Sequence, residues 1–147
     1  MNEKYYTPEI EEFHVGFEYQ IFEDWDYYPI KSWHNQVYGK DGDNQEGIGY
    51  VSEPMSDYRV KHLDREDIES FEFIKSGLAK DVFISKETHD IQGIGENYII
   101  GINFKEGTDY VQVFYTRDEE RAVGAILFAG RLKNKSELKR ILKQIGV

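Results

Sequence analysis

Apolar and polar residues alternate from Phe13 to Ile21. Phe13, Val15, Phe17, Tyr19 and Ile21 are interleaved with His14, Gly16, Glu18 and Gln20. A period of two is that of a strand with one buried face. Pro8 and the acids Glu9, Glu11 and Glu12 precede it, so residues 1–11 are expected to be an extended acidic arm. From Glu23 to Pro29 the chain reads as a loop, because Pro29 cannot donate to a sheet and restricts Tyr28. A second strand is expected within 30–38, a polar turn over 40–47 and a short strand at 48–51.

Helical signals come next. In Leu63-Asp64-Arg65-Glu66-Asp67-Ile68, Asp64 is placed to cap the free N–H groups of a first turn, and Asp67 is placed to return the bond. Leu63 and Ile68 stand at staple positions. One short helix is therefore expected near 64–73, with Gly77 as a stop unless Phe71–Ile74 is already extended. Val82-Phe83-Ile84 reads as a strand. Tyr98–Phe104, Tyr110–Thr116 and Val123–Ala129 are rich in β-branched and aromatic residues and are separated by short polar turns, the signature of a three-strand antiparallel meander over 98–129. Ser136 is expected to cap a last helix, in which Leu138, Ile141, Leu142 and Ile145 fall at i, i+3, i+4 and i+7 and Gly146 suits the end. A single apolar stripe needs one sheet face to lie on. The expected fold class is α+β: an antiparallel sheet packed by a C-terminal amphipathic helix, in one domain over 12–147.

Composition narrows the function. The chain has 147 residues, with 28 Asp and Glu against 18 Lys and Arg and a net charge of −10. A broad nucleic-acid surface is not expected of such a chain, since phosphate contacts need clustered bases. Residues 131–147 nevertheless carry six bases against one acid, and residues 1–28 carry eight acids against one base. Cys is absent, which removes disulfides, thiolate metal sites and Cys nucleophiles. No apolar run approaches the roughly 18 residues of a membrane span. The acidic start is unlike a secretory signal, so a cytoplasmic location is expected. Monomer and oligomer are both compatible with this surface.

Catalytic and metal motifs fit poorly. The four His, at 14, 34, 62 and 89, show no metal-ligand spacing. The acidic run from Asp41 has Glu46 where a calcium loop needs Gly and Ser52 where it needs a bidentate Glu. Gly93-Ile94-Gly95 lacks the third glycine of a phosphate loop, because position 98 is Tyr. No nucleophile elbow occurs. Neither catalytic residues, nor a metal, nor a cofactor is therefore assigned. The best local signal is an aromatic and acidic cluster, Trp25, Asp26, Tyr28, Trp33 and His34, a composition that suits a ligand pocket or a protein hot spot and equally an ordinary core under a loop. A second candidate is the basic set Arg131, Lys139 and Lys143, which suits an anionic ligand such as a nucleotide.

Three segments, YTPEIEEFHVGFEY (residues 6–19), RVKHLDREDIES (59–70) and RLKNKSELKRILKQIG (131–146), resemble a group of small proteins of Bacteroidetes bacteria and their phages, including crAss-like phages. Together they cover 42 of the 147 residues. The resemblance implies a phage or prophage origin and expression inside the host cell, and assigns no site residue. The expectation is a non-catalytic binding protein that occludes a host or phage protein during host takeover or evasion of host defence. The alternatives are a sponge for an anionic small ligand and a minor virion component.

Overall fold

A computed structural model describes residues 4–23, 32–39, 57–77, 79–105, 107–117 and 125–147. The chain divides into two compact units, Glu3–His62 and a C-terminal unit drawn from Leu63–Val147. Their boundary falls inside the span expected as one domain. The loop expected at 23–29, the turn at 40–47 and the strand at 48–51 lie largely or wholly outside the described residues.

In the N-terminal unit, β1 (Tyr5–Tyr6), β2 (Glu18–Glu23), β3 (Ser32–Val37) and β4 (Tyr58–Lys61) form an antiparallel sheet in the order β1-β4-β2-β3. The stretch expected as an arm thus contributes β1, and a 3-10 turn follows at Ile10–Glu12. The strand expected from Phe13 begins only at Glu18. Gly16 has φ +91°, a left-handed backbone that turns the chain, and Val15 at the turn is 70% exposed. The Gly16 N–H donates to the Tyr38 carbonyl at 2.8 Å and the Phe17 N–H to the His14 carbonyl at 2.9 Å. The fold-back gathers the aromatic residues instead of alternating them. The Phe13 ring lies 5.0 Å from Phe17, 5.0 Å from Tyr19, 5.6 Å from Tyr38 and 5.7 Å from Tyr58, all edge-on. Such edge-to-face contacts place ring edges on ring faces, where the quadrupoles attract.

Burial pushes the Tyr19 hydroxyl pKa up, and the neighbouring Tyr58 and Tyr38 add to this. The unfolded chain therefore loses this proton first as pH rises. The contribution of Tyr19 to stability is complete below about pH 10, the ordinary tyrosine value, and disappears as pH climbs through the higher folded value. Urea unfolding across that alkaline range is expected to show a steeper fall in stability for the native chain than for Tyr19→Phe.

The C-terminal unit opens with α1 (Arg65–Ser70). Asp64 caps it as expected: its Oδ1 accepts from the Asp67 N–H at 3.0 Å, and Asp67 Oδ2 accepts from the Asp64 N–H at 3.1 Å. The helix stops at Ser70, Phe71 and Glu72 form a turn with Glu72 at φ +66°, and β5 (Phe73–Lys75) follows, so the extended alternative for 71–74 holds only from Phe73. With β6 (Val82–Ser85), β8 (Gly95–Phe104), β9 (Tyr110–Thr116) and β10 (Ala125–Arg131) it forms a sheet in the order β10-β9-β8-β6-β5, and β7 (His89–Ile91) pairs with β8. The strands β8, β9 and β10 are the antiparallel meander read from the sequence.

Alternation sets the faces of this sheet. Ile100, Ile102 and Phe104 on β8 and Val111 and Val113 on β9 point into one core with Ile68, Phe73 and Phe83. The last helix, α2 (Lys135–Ile145), adds Leu138 and Leu142 to that core, and Ile141 and Ile145 pack against it. The opposite face of the sheet also buries Val82, Ile99 and Phe114. Strand β10 is one edge of the sheet. Its pairing with β9 is interrupted between Ile126 and Phe128, and Ile126 is 57% exposed.

The cap of α2 differs from expectation. Asn134, not Ser136, stands at the N-cap, where its Oδ1 accepts from the Glu137 N–H at 2.9 Å, and Ser136 lies buried within the first turn. Both are cap-type residues, and Asn134 holds the position because its side chain reaches the Glu137 N–H. Replacing Asn134 by Ala is expected to cost about 1 kcal/mol in urea unfolding, the usual worth of an N-cap. Gly146 ends the helix at φ +96°, with its N–H bonded to the Leu142 carbonyl at 3.1 Å.

Candidate binding face

The register of the N-terminal sheet brings four separate segments onto one face. Gln20 of β2 lies opposite both Arg59 of β4 and Asn35 of β3, and Phe22 lies opposite Trp33. Tyr5 lies opposite Lys61, two residues from Arg59. Strand alternation therefore puts Tyr5, Arg59, Lys61, Gln20, Phe22, Asn35 and Trp33 on the same side. Tyr58 and Val60, on the other side, are buried, whereas Tyr5, Arg59, Gln20, Phe22 and Trp33 are half-buried and Asn35 is exposed.

Arg59 is the centre of this face. Its guanidinium carbon lies 3.9 Å from the Tyr5 ring centroid and 4.2 Å from that of Trp33. These distances are well within cation–π range. Its Nε donates to Gln20 Oε1 at 2.7 Å, and Gln20 Nε2 donates to Asn35 Oδ1 at 2.7 Å. The Phe22 and Trp33 rings are 5.4 Å apart and inclined by 60°. Two rings and one hydrogen bond thus fix the plane and orientation of a cation that would otherwise sample many rotamers. Among the described residues, its two Nη groups have no hydrogen-bond or carboxylate partner.

Of the aromatic and acidic cluster read from the sequence, Trp25, Asp26 and Tyr28 lie outside the described residues. Trp33 and His34 are consecutive strand residues and therefore face opposite sides of the sheet. Trp33 joins the Arg59 face. His34 is exposed, and its Nε2 is 3.0 Å from Ser32 Oγ.

The basic set lies in the other unit. Lys139 and Lys143 are exposed and one turn apart on α2, and Arg131 ends β10. The Arg131 side chain is 80% exposed, with Nε 3.9 Å from Asp109 Oδ1. At that distance and exposure the pair contributes little. Among the described residues no three His, Asp or Glu side chains are grouped as metal ligands. Among them, too, no helix is long and apolar enough to cross a membrane.

Arg59, Tyr5, Gln20 and Asn35 were not singled out from the sequence. Their one local signal is the alternation Tyr58-Arg59-Val60-Lys61, which marks Arg59 as outward-facing. The contact itself joins positions 5, 20, 33 and 59 and needs the strand order. Comparison with protein-family models, with curated proteins and with solved structures gives no match.

Proposed function

We propose that this chain is a non-catalytic binding protein that covers a surface of a partner protein, with the Tyr5–Arg59–Trp33 face as its contact. The observation that carries this reading is the ordered row of half-buried aromatic rings around an oriented Arg on a sheet face. Tyr, Trp and Arg are the residue types that dominate protein hot spots, because they present large rigid area and several donors with little rotamer loss. The resemblance to proteins of Bacteroidetes and their phages supplies the setting: the cytoplasm of a bacterial host, in host takeover or evasion of defence. Occlusion needs affinity and no reactive group, and the face offers stacking and hydrogen bonding.

The test is affinity capture with the tagged full chain from infected Bacteroidetes cells, beside a Trp33→Ala variant checked for native circular dichroism. One protein recovered in stoichiometric amount by the native chain, and depleted about tenfold or more by Trp33→Ala, is expected of a hot-spot aromatic residue. Equal recovery by the folded variant, or no stoichiometric protein at all, overturns the reading.

A further inference from the structure

We infer that the outward edge of the Arg59 guanidinium is a seat for a carboxylate, and that the partner presents an acidic segment to it. This rests on the contact face proposed above and names the chemistry that the face selects.

A guanidinium has five N–H donors in one plane and pairs with a carboxylate through two parallel bonds. In Arg59 the plane is already flanked by the Tyr5 and Trp33 rings, at 3.9 and 4.2 Å, and Nε is already occupied by Gln20. Among the described residues the Nη edge is left over, and it is the edge that a carboxylate approaches. Because Gln20 is in turn held by Asn35, the fork is oriented before any partner arrives. Less ordering then remains to be done on binding, the usual source of affinity in a small contact.

Local charge agrees. The Lys4 ammonium lies 5.7 Å from the Tyr5 ring, and Lys61 shares the face, whereas Glu18 is the one acid among its described strand residues. Among the described strand residues of this face the bases Arg59 and Lys61 stand against the single acid Glu18, on a chain whose net charge is −10. With a Debye length of about 8 Å, charges on this face weigh more on an incoming group than the acids elsewhere on the chain.

The experiment follows the Arg side-chain N–H signals of the full ¹⁵N-labelled chain at fixed ionic strength. The Arg59 Nε–H is assigned by its loss in Arg59→Lys, which keeps the charge and removes the fork. The probes are an end-blocked tetraglutamate peptide, the matching tetraglutamine peptide and inorganic phosphate. A saturable shift of the Arg59 signal with tetraglutamate and none with tetraglutamine is expected. Binding read at the Trp33 indole N–H should then weaken about tenfold in Arg59→Lys, as expected for loss of a bidentate pair. Gln20→Met leaves Arg59 in place but releases Nε, and should weaken binding several-fold. No saturable shift with tetraglutamate overturns the inference. So does a shift with phosphate alone, which would make the fork a phosphate seat. If Trp33→Ala abolishes partner capture while Arg59→Lys does not, the contact face stands and the carboxylate seat falls.

Discussion

Replacing Leu138 by Ala is expected to lower the stability of the C-terminal unit by about 2–5 kcal/mol, the range for a fully buried Leu whose surroundings cannot close over the gap. Leu138 has no exposed surface and stands at the point where α2 meets the core built by Ile100, Ile102, Val111 and Val113. The rigid sheet on one side and the helix backbone on the other limit collapse into the cavity. The loss should appear in urea unfolding as a lower midpoint with unchanged slope. Lys139→Ala, one residue along and exposed, should leave the midpoint within about 0.5 kcal/mol equivalent, as is usual for surface sites. Equal midpoints for Leu138→Ala and the native chain would show that α2 does not pack as described.

Replacing Gly101 by Ala is expected to destabilise by about 1–3 kcal/mol, the cost of forcing atoms into a filled core. Gly101 of β8 lies opposite Phe114 of β9, and the Phe114 ring lies flat over the glycine. A β-carbon at position 101 would fall inside contact distance of three Phe114 ring carbons. Phe114 is itself buried, so the ring cannot simply swing into solvent. A double-mutant cycle tests this pairing. In a Phe114→Leu background, Gly101→Ala should cost less than in the native chain, because the ring it strikes is gone. Additive costs would mean that the ring and the glycine do not share this space.

Local chemistry explains why much of the fold was legible. The Asp64–Asp67 capping box, the Leu138–Leu142 stripe and the Gly146 terminus depend on residues within a few positions of one another, and each appears as expected. The meander was legible because its connections are short, so neighbours in sequence are neighbours in the sheet. The N-terminal unit was harder. Its alternation from Phe13 was genuine, but the sequence does not say that Gly16 turns the chain, since that choice is fixed by the aromatic cluster that Phe13 joins. Ser136 reads as a cap from its residue type alone, but Asn134, an equally good one two residues earlier, takes the position. The candidate face was only half legible. Trp33 stood out as an aromatic residue, but its neighbour His34 belongs to the other side of the strand. The cation beside Trp33 is 26 positions away in the sequence, and it takes the pairing of β2 with both β3 and β4 to bring it close.

The edge strand β10 has a consequence for the behaviour of the protein in concentrated solution. From Ala125 to Gly130 it carries no charge and no proline, two devices that blunt a sheet edge, and among the described residues its interrupted pairing near Leu127 is the irregularity that discourages a second ladder. Colloidal stability therefore depends on the −10 charge of the whole chain more than on the chemistry of the edge. Mild acid near the isoelectric point, about pH 4.9, cancels this net charge and leaves the uncharged edge of β10 without that protection. The chain should then begin to ribbon, edge against edge, under conditions that leave its core intact.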